Sequence, residues 1–358
     1  MYFSNFKKAN LILEDGTHFE GLSFGYEQSV SGEVVFNTGM VGYPETFSDP
    51  SYFGQILVMT YPLVGNYGIP NINNENELFN NLESDKPQIS GLIVSEFSEK
   101  KQHWNSNKNL SDWLKDNKVP ALFDIDTRKL TKLLRESGTM LGQISIDDKK
   151  VNLFDPNEED LITKVTIESE KRIGKGNKKV LLVDCGCKNS IAKSLANRGV
   201  EVIRVPWNCN LNDYKFDGIV FSNGPGNPEV YNELTEKAKS VLSLEKPTLG
   251  ICLGHQIISR AVGAETEKLK YGHRSQNQPV KELNSNKCFV TSQNHGFHVL
   301  TESLPDDWEP WFENLNDNTN EGIKHKTLPF MTVQFHPEAS PGPVDTAFIF
   351  DEFISKIK

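Results

Sequence analysis

Apolar positions follow two different rhythms along this 358-residue chain. Up to residue 146 they come as short strand-like runs: Leu11-Ile12-Leu13, Phe19 to Phe24, Val34-Val35-Phe36, Ile56-Leu57-Val58-Met59 and Gly91-Leu92-Ile93-Val94. The first two flank Glu14-Asp15-Gly16, and an Asp-Gly step between apolar runs predicts a hairpin turn. One segment departs from this pattern. Leu130, Leu133 and Leu134 recur at helical spacing, Asp126 or Thr127 can cap the start, and Gly138 can end it, so a helix is predicted over 126–138. Residues 1–146 therefore read as a β-rich α+β domain. Residues 147–178 are charged and polar and read as a linker, with room for one short helix around Leu161.

From Lys179 the rhythm changes to strand alternating with helix. Val180 to Val183, Val200 to Val205 and Gly218 to Phe221 are short buried-strand runs, while Asn189 to Asn197 and Leu234 to Leu244 repeat at helical spacing. Such alternation predicts an α/β domain over 179–358, a mostly parallel sheet with helices on both faces and its sites at the carboxyl ends of the strands. One such end carries Gly250-Ile251-Cys252-Leu253-Gly254-His255-Gln256. A cysteine on a strand-to-helix turn, with glycine two residues to either side, matches the elbow that pushes a nucleophile out of a strained turn. Unpaired N–H groups at a helix start favour a thiolate and can hold an oxyanion. A lone cysteine here also fits an inert buried thiol.

A second segment weighs toward the nucleophile. Met331, Val333 and Phe335 alternate with Thr332, Gln334 and His336, which predicts a half-buried strand with His336 at its polar end. Pro337 favours an extended backbone before it, so Glu338 projects to the same side and can orient the imidazole. Ser222-Asn223-Gly224-Pro225-Gly226 after a strand reads as a tight turn, or beside the elbow as a donor loop for an oxyanion. Val290 to Phe297 reads as a strand leading into a polar loop, with His295 a satisfied histidine.

Composition narrows the class further. Hydrophobic residues at 37% and charged residues at 24% exclude a disordered or membrane-embedded chain, and no apolar run nears the ~18 residues of a membrane span. A net charge of −10 argues against nucleic acid as a partner. Five cysteines without regular spacing fit reduced thiols and a cytoplasmic setting. Cys185-Gly186-Cys187 lacks a second pair to complete a metal site, so no metal is expected. No phosphate-binding loop is recognisable.

The elbow at 250–256 and the His336-Pro337-Glu338 step resemble the class I (triad) glutamine amidotransferases. In the first half, Gly32 to Met40, Gly42-Tyr43-Pro44-Glu45, Asp49-Pro50-Ser51-Tyr52 and Asp124 to Leu130 resemble the amino-terminal domain of the small-subunit family of carbamoyl phosphate synthetases. That resemblance covers nearly the whole chain. It implies glutamine hydrolysis by Cys252, His336 and Glu338, with ammonia passed to a large synthetase subunit that binds ATP and Mg, in arginine or pyrimidine synthesis. It also implies that Ser51, Gly224, Gly226, Leu253, Gln256, Asn294, Gly296 and Phe297 contact glutamine, and that this chain holds no cofactor of its own. The segment 271–280 departs from the family, carrying Ser275, Gln276 and Gln278 where small residues and a second histidine are usual, so its loop conformation is left open. The glutaminase of another pathway, or a non-catalytic binding subunit, are the alternatives.

Overall fold

The protein is described from a computed structural model over residues 6–71 and 82–358. It divides into two compact units, Met1–Pro156 and Asn157–Lys358.

The first unit is built on a closed barrel. Its strands follow the order Lys8–Leu13, His18–Ser23, Ala121–Phe123, Gly91–Ile93, Gln55–Met59, Val30–Asn37 and Met140–Ile146, the last pairing back to the first. Closure leaves no unpaired sheet edge. The Asp-Gly hairpin forms as expected: Gly16 has φ 85°, and Asp15 accepts a hydrogen bond from the Thr17 N–H at 2.8 Å. The predicted helix spans Thr127–Ser137, with the Asp126 carboxylate capping the Lys129 N–H and Gly138 ending it at φ 101°.

The second unit is a ten-stranded sheet. Five strands at one side run parallel in the order Glu201–Pro206, Lys179–Asp184, Gly218–Phe221, Thr248–Ile251 and Phe330–Val333. Side-chain alternation along these strands fills two cores, one on each face. Val180 and Leu182 pack with Ile191, Leu195, Phe350 and Phe353, while Leu181 and Val183 pack with Leu234, Ala238, Ile257 and Ile258. Helices Asn189–Ala196 and Phe348–Ser355 thus cover one face, and Asn232–Leu242 and Leu253–Ala261 the other.

Three expectations are revised. The linker of 147–178 divides between the units: 147–156 belong to the first, and 157–178 fold with the second, where the short helix expected around Leu161 forms as Ile162–Val165 and Lys171–Ile173 pairs antiparallel with Glu201–Pro206. Its charged composition hid a single edge strand. The segments expected as loops around 271–280 and 294–297 are strand: Thr266–Glu282 and Cys288–Val299 form one long antiparallel hairpin with register shifts near 268–273 and 275–278. Cross-strand pairing satisfies a backbone that its polar side chains made look irregular. The strand Phe330–Val333 is buried on both faces, because it lies between Thr248–Ile251 and Asn320–His325 inside the sheet.

Candidate active site

Cys252 sits where the central strand Thr248–Ile251 turns into helix Leu253–Ala261. Its backbone has φ 54° and ψ −105°, a conformation that costs of order 1–3 kcal/mol for a residue with a side chain. The turn is held on both sides: the Cys252 N–H donates to Val333 at 2.9 Å, and the Gly254 N–H donates to Ser222 at 3.0 Å. Tight packing explains the flanking glycines, since a Cβ at Gly254 would lie 2.1 Å from the Phe221 carbonyl oxygen, and one at Gly250 would lie 2.6 Å from that of Gly254. The thiol faces the Asn294 carbonyl oxygen at 3.6 Å. As the first helical residue, Leu253 has an N–H with no acceptor inside the helix.

His336 follows the strand Phe330–Val333, and its N–H donates to Ser292 at 2.9 Å, which ties it to the long hairpin. Its Nδ1 lies 2.6 Å from Glu338 Oε1, while Nε2 has no hydrogen-bond partner among the described residues. Burial opposes a charge on the imidazole, but the negative Glu338 outweighs it, with a smaller contribution from the nearby Cys252 thiol, so the proton is held well above the usual histidine range. For Glu338, burial would raise the carboxyl, yet the Lys188 charge and then His336 hold it low. The Glu338 carboxylate therefore carries charge, and the raised proton affinity of the imidazole fits its Nε2 to take the Cys252 proton.

Lys188 was not anticipated as part of this site. Its ammonium is 3% exposed and donates to Glu338 Oε1 at 3.0 Å and to the Ala339 carbonyl. The one signal in the sequence was its place just past the carboxyl end of strand Lys179–Asp184, where sites of such sheets gather.

The expected glutamine contacts fall in three groups. Gly224 lies against the elbow, since a Cβ there would meet the Cys185 carbonyl oxygen at 2.1 Å and Leu253 Cδ2 at 2.7 Å. Gly226 follows at φ 84°, facing the Tyr231 hydroxyl. Asn294, Gly296 and Phe297 lie on strand Cys288–Val299, and Gln256 reaches it from the helix, donating to Phe297 O at 2.9 Å and Gln334 Oε1 at 3.0 Å. Ser51 belongs to the first unit, in the 3-10 turn Pro50–Tyr52, where its N–H donates to the Asp49 carboxylate.

The other histidines nearby have structural partners. His295 Nδ1 is 2.8 Å from Phe297 O and Nε2 is 3.1 Å from Gln293 Oε1, and burial keeps the ring neutral. His255 contacts Thr332 Oγ1 at 2.7 Å, with burial pushing its imidazole down to about 3. His273, His295 and Glu321 come close enough to share a cation, the one such trio among the described residues. His273 is itself the cation there. Burial opposes its charge, but Asp317 at 2.7 Å and Glu321 at 3.4 Å push it up to about 9, and Asn314 also donates to Glu321 at 2.9 Å.

Residues 181–356 match the family described as glutamine amidotransferase class-I. The fold of the second unit is thus that of a class I glutamine amidotransferase. Residues 11–144 match the carbamoyl-phosphate synthase small chain, CPSase domain. The chain is 44% identical to the carbamoyl phosphate synthase small chain of Sulfurisphaera tokodaii, over 99% of this chain and 97% of that one. It belongs to the carbamoyl-phosphate synthase small chain family. It is also 46% identical to the mitochondrial carbamoyl-phosphate synthase [ammonia] of Mus musculus and 48% identical to the multifunctional protein CAD of Squalus acanthias, over 98% and 97% of this chain. The chain spans only 24% and 16% of the length of those two relatives.

Proposed function

We propose that the chain hydrolyses glutamine and supplies ammonia for carbamoyl phosphate synthesis by a large synthetase partner. Support comes chiefly from one arrangement: a cysteine on a strained elbow beside an imidazole whose Nε2 is unoccupied and whose Nδ1 is held by a buried carboxylate. His336 takes the thiol proton as Cys252 Sγ attacks the glutamine side-chain amide carbon. The tetrahedral oxyanion is held by the Leu253 N–H and by the Gly224 loop. The imidazolium then protonates the departing ammonia, leaving a γ-glutamyl thioester. Water, deprotonated by His336, attacks the thioester; glutamate leaves and the thiol regains its proton. Glu338 fixes the imidazole tautomer and stabilises its charge. Asn294, Gly296, Phe297 and Gln256 shape the glutamine site.

ATP and Mg act on the synthetase partner in this reading, which gives the present chain no cofactor of its own. Its five free cysteines fit a reducing compartment such as the cytoplasm. No helix among the described residues is long and apolar enough to cross a membrane. The mouse relative's name specifies ammonia, which favours a second reading in which the chain binds but does not hydrolyse glutamine. The order of Cys252, His336, Glu338 and Lys188 weighs against it.

The test is release of glutamate and ammonia by the purified chain, and glutamine-dependent synthesis by the reconstituted complex. Cys252→Ala should abolish both while synthesis from added ammonia persists. Unchanged glutamine-dependent synthesis by Cys252→Ala would refute the proposal.

A further inference from the structure

Arg204 is a buried cation on the strand Glu201–Pro206, away from the residues that the chemistry engages. Its Nε donates to Asp184 Oδ2 at 2.6 Å, one terminal nitrogen donates to Asn189 Oδ1 at 2.9 Å, and the other donates to the Cys187 carbonyl at 2.9 Å. The other oxygen of Asp184 accepts the N–H groups of Gly186 and Cys187, at 2.8 and 2.9 Å. Arg204 and Asp184 together therefore hold the N–H groups of Gly186 and Cys187 and the carbonyl of Cys187. A guanidinium suits this task because its fork holds several acceptors in one rigid plane.

That turn touches both halves of the site. At its far end the Lys188 N–H donates to Asn223, and the Lys188 ammonium reaches Glu338. At its near end the Cys185 N–H donates to Ser222, and the Cys185 carbonyl packs on Gly224. We infer that Arg204 is a positioning residue for glutamine hydrolysis, setting the turn 185–188 so that Lys188 meets Glu338 and the Gly224 loop meets the elbow. This rests on the glutaminase reading above. A buried ion pair is weak grounds for stability alone, which makes a geometric role for this one worth separating from a purely structural one.

The experiment compares wild type with Arg204→Met and Arg204→Lys, using two readouts on the full chain. In steady-state glutaminase assays, Arg204→Met should lose about ten-fold in kcat, a fraction of the ~10²-fold that a 1 Å misplacement can cost, with KM changed less. Arg204→Lys keeps the charge against Asp184 but not the fork, and should fall between. The second readout is the pH profile of Cys252 alkylation by iodoacetamide, followed on its own peptide, with a step where His336 loses its proton. The titratable groups facing His336 are Glu338, Lys188 and Cys252, and the Lys188 charge lowers its proton affinity. Withdrawal of Lys188 should therefore move the step to higher pH in Arg204→Met, and Lys188→Met should move it the same way.

Should Arg204→Met fail to fold with Asp184 left unpaired, Asp184→Asn combined with Arg204→Met removes both charges and keeps an amide oxygen for Gly186 and Cys187. The same loss and the same shift are expected of the double variant. A folded variant with wild-type kcat and an unmoved step, whatever its thermal stability, overturns the inference. Alkylation needs no glutamine, so a wild-type chain without glutaminase activity would count against the function while the step still decides Arg204.

Discussion

The charged cluster of His273, Asp317 and Glu321 should make the second unit lose stability above neutral pH, and His273→Gln isolates the effect. His273 moves from its ordinary 6.5 to about 9 in the folded chain: burial opposes the charge, but the hydrogen bonds and charges of Asp317 and Glu321 outweigh it. At 1.36 kcal/mol per pH unit the difference is roughly 3 kcal/mol. Below pH 6.5 the folded and unfolded chains both carry the proton and the full contribution is present. Between there and about 9 the unfolded chain has lost its proton while the folded one must still give it up, so the contribution declines and is then gone. Seen from Asp317, which is partly exposed and falls only to about 2, the pair is weaker. The larger figure applies to His273 because it is buried and also gathers Glu321. For a unit of this size the loss corresponds to about 6–12 °C in melting temperature. Melting curves of wild type and His273→Gln should differ by that amount below pH 6.5 and converge above about pH 9. A difference that stays constant with pH would show that His273 is not charged in the folded chain, and the account of the long hairpin would need revision.

Two further outcomes are expected. Glu338→Gln should be milder than His336→Ala in glutaminase kinetics, since it leaves the base in place, although the acid of a serine triad can be worth ~10⁴ in rate. Finding it as damaging as Cys252→Ala would give Glu338 a more direct role. Gly224→Ala must displace its loop, because the new Cβ would lie 2.1 Å from a backbone oxygen. A kcat loss of about ten-fold or more is predicted from that displacement, and a fully active variant would remove the loop from oxyanion stabilisation.

Much of this arrangement was legible because its signals are local. The elbow shows in the spacing of Gly250, Cys252 and Gly254, and the helix at 127–137 shows in its caps and leucines. His336 and Glu338 could be placed on one side of the chain from Pro337 alone, and they lie 2.6 Å apart. What stayed hidden depends on pairing across distance. Lys188 meets Glu338 across 150 residues of sequence, and only its place just past a strand end sets it apart from a surface lysine. Arg204 is hidden in the same way, as a charge in an otherwise apolar strand. The segments 271–280 and 294–297 of the long hairpin looked like loop because residues such as Ser275, Gln276, Gln278 and Asn294 are polar, yet Ser275 and Asn294 are buried and lie in the cross-strand register. Closure of the barrel is likewise a long-range property, set by pairing of residues 8–13 with 140–146.

Cys252 should carry the glutamyl group during hydrolysis. Acid quenching of the chain during turnover with glutamine, followed by peptide mass spectrometry, tests this most directly. One γ-glutamyl adduct is expected on the peptide bearing Cys252, absent in Cys252→Ala and lost when the thioester is cleaved by hydroxylamine. Glutamine hydrolysis at full rate with the adduct on another residue, or persisting in Cys252→Ala, would contradict it.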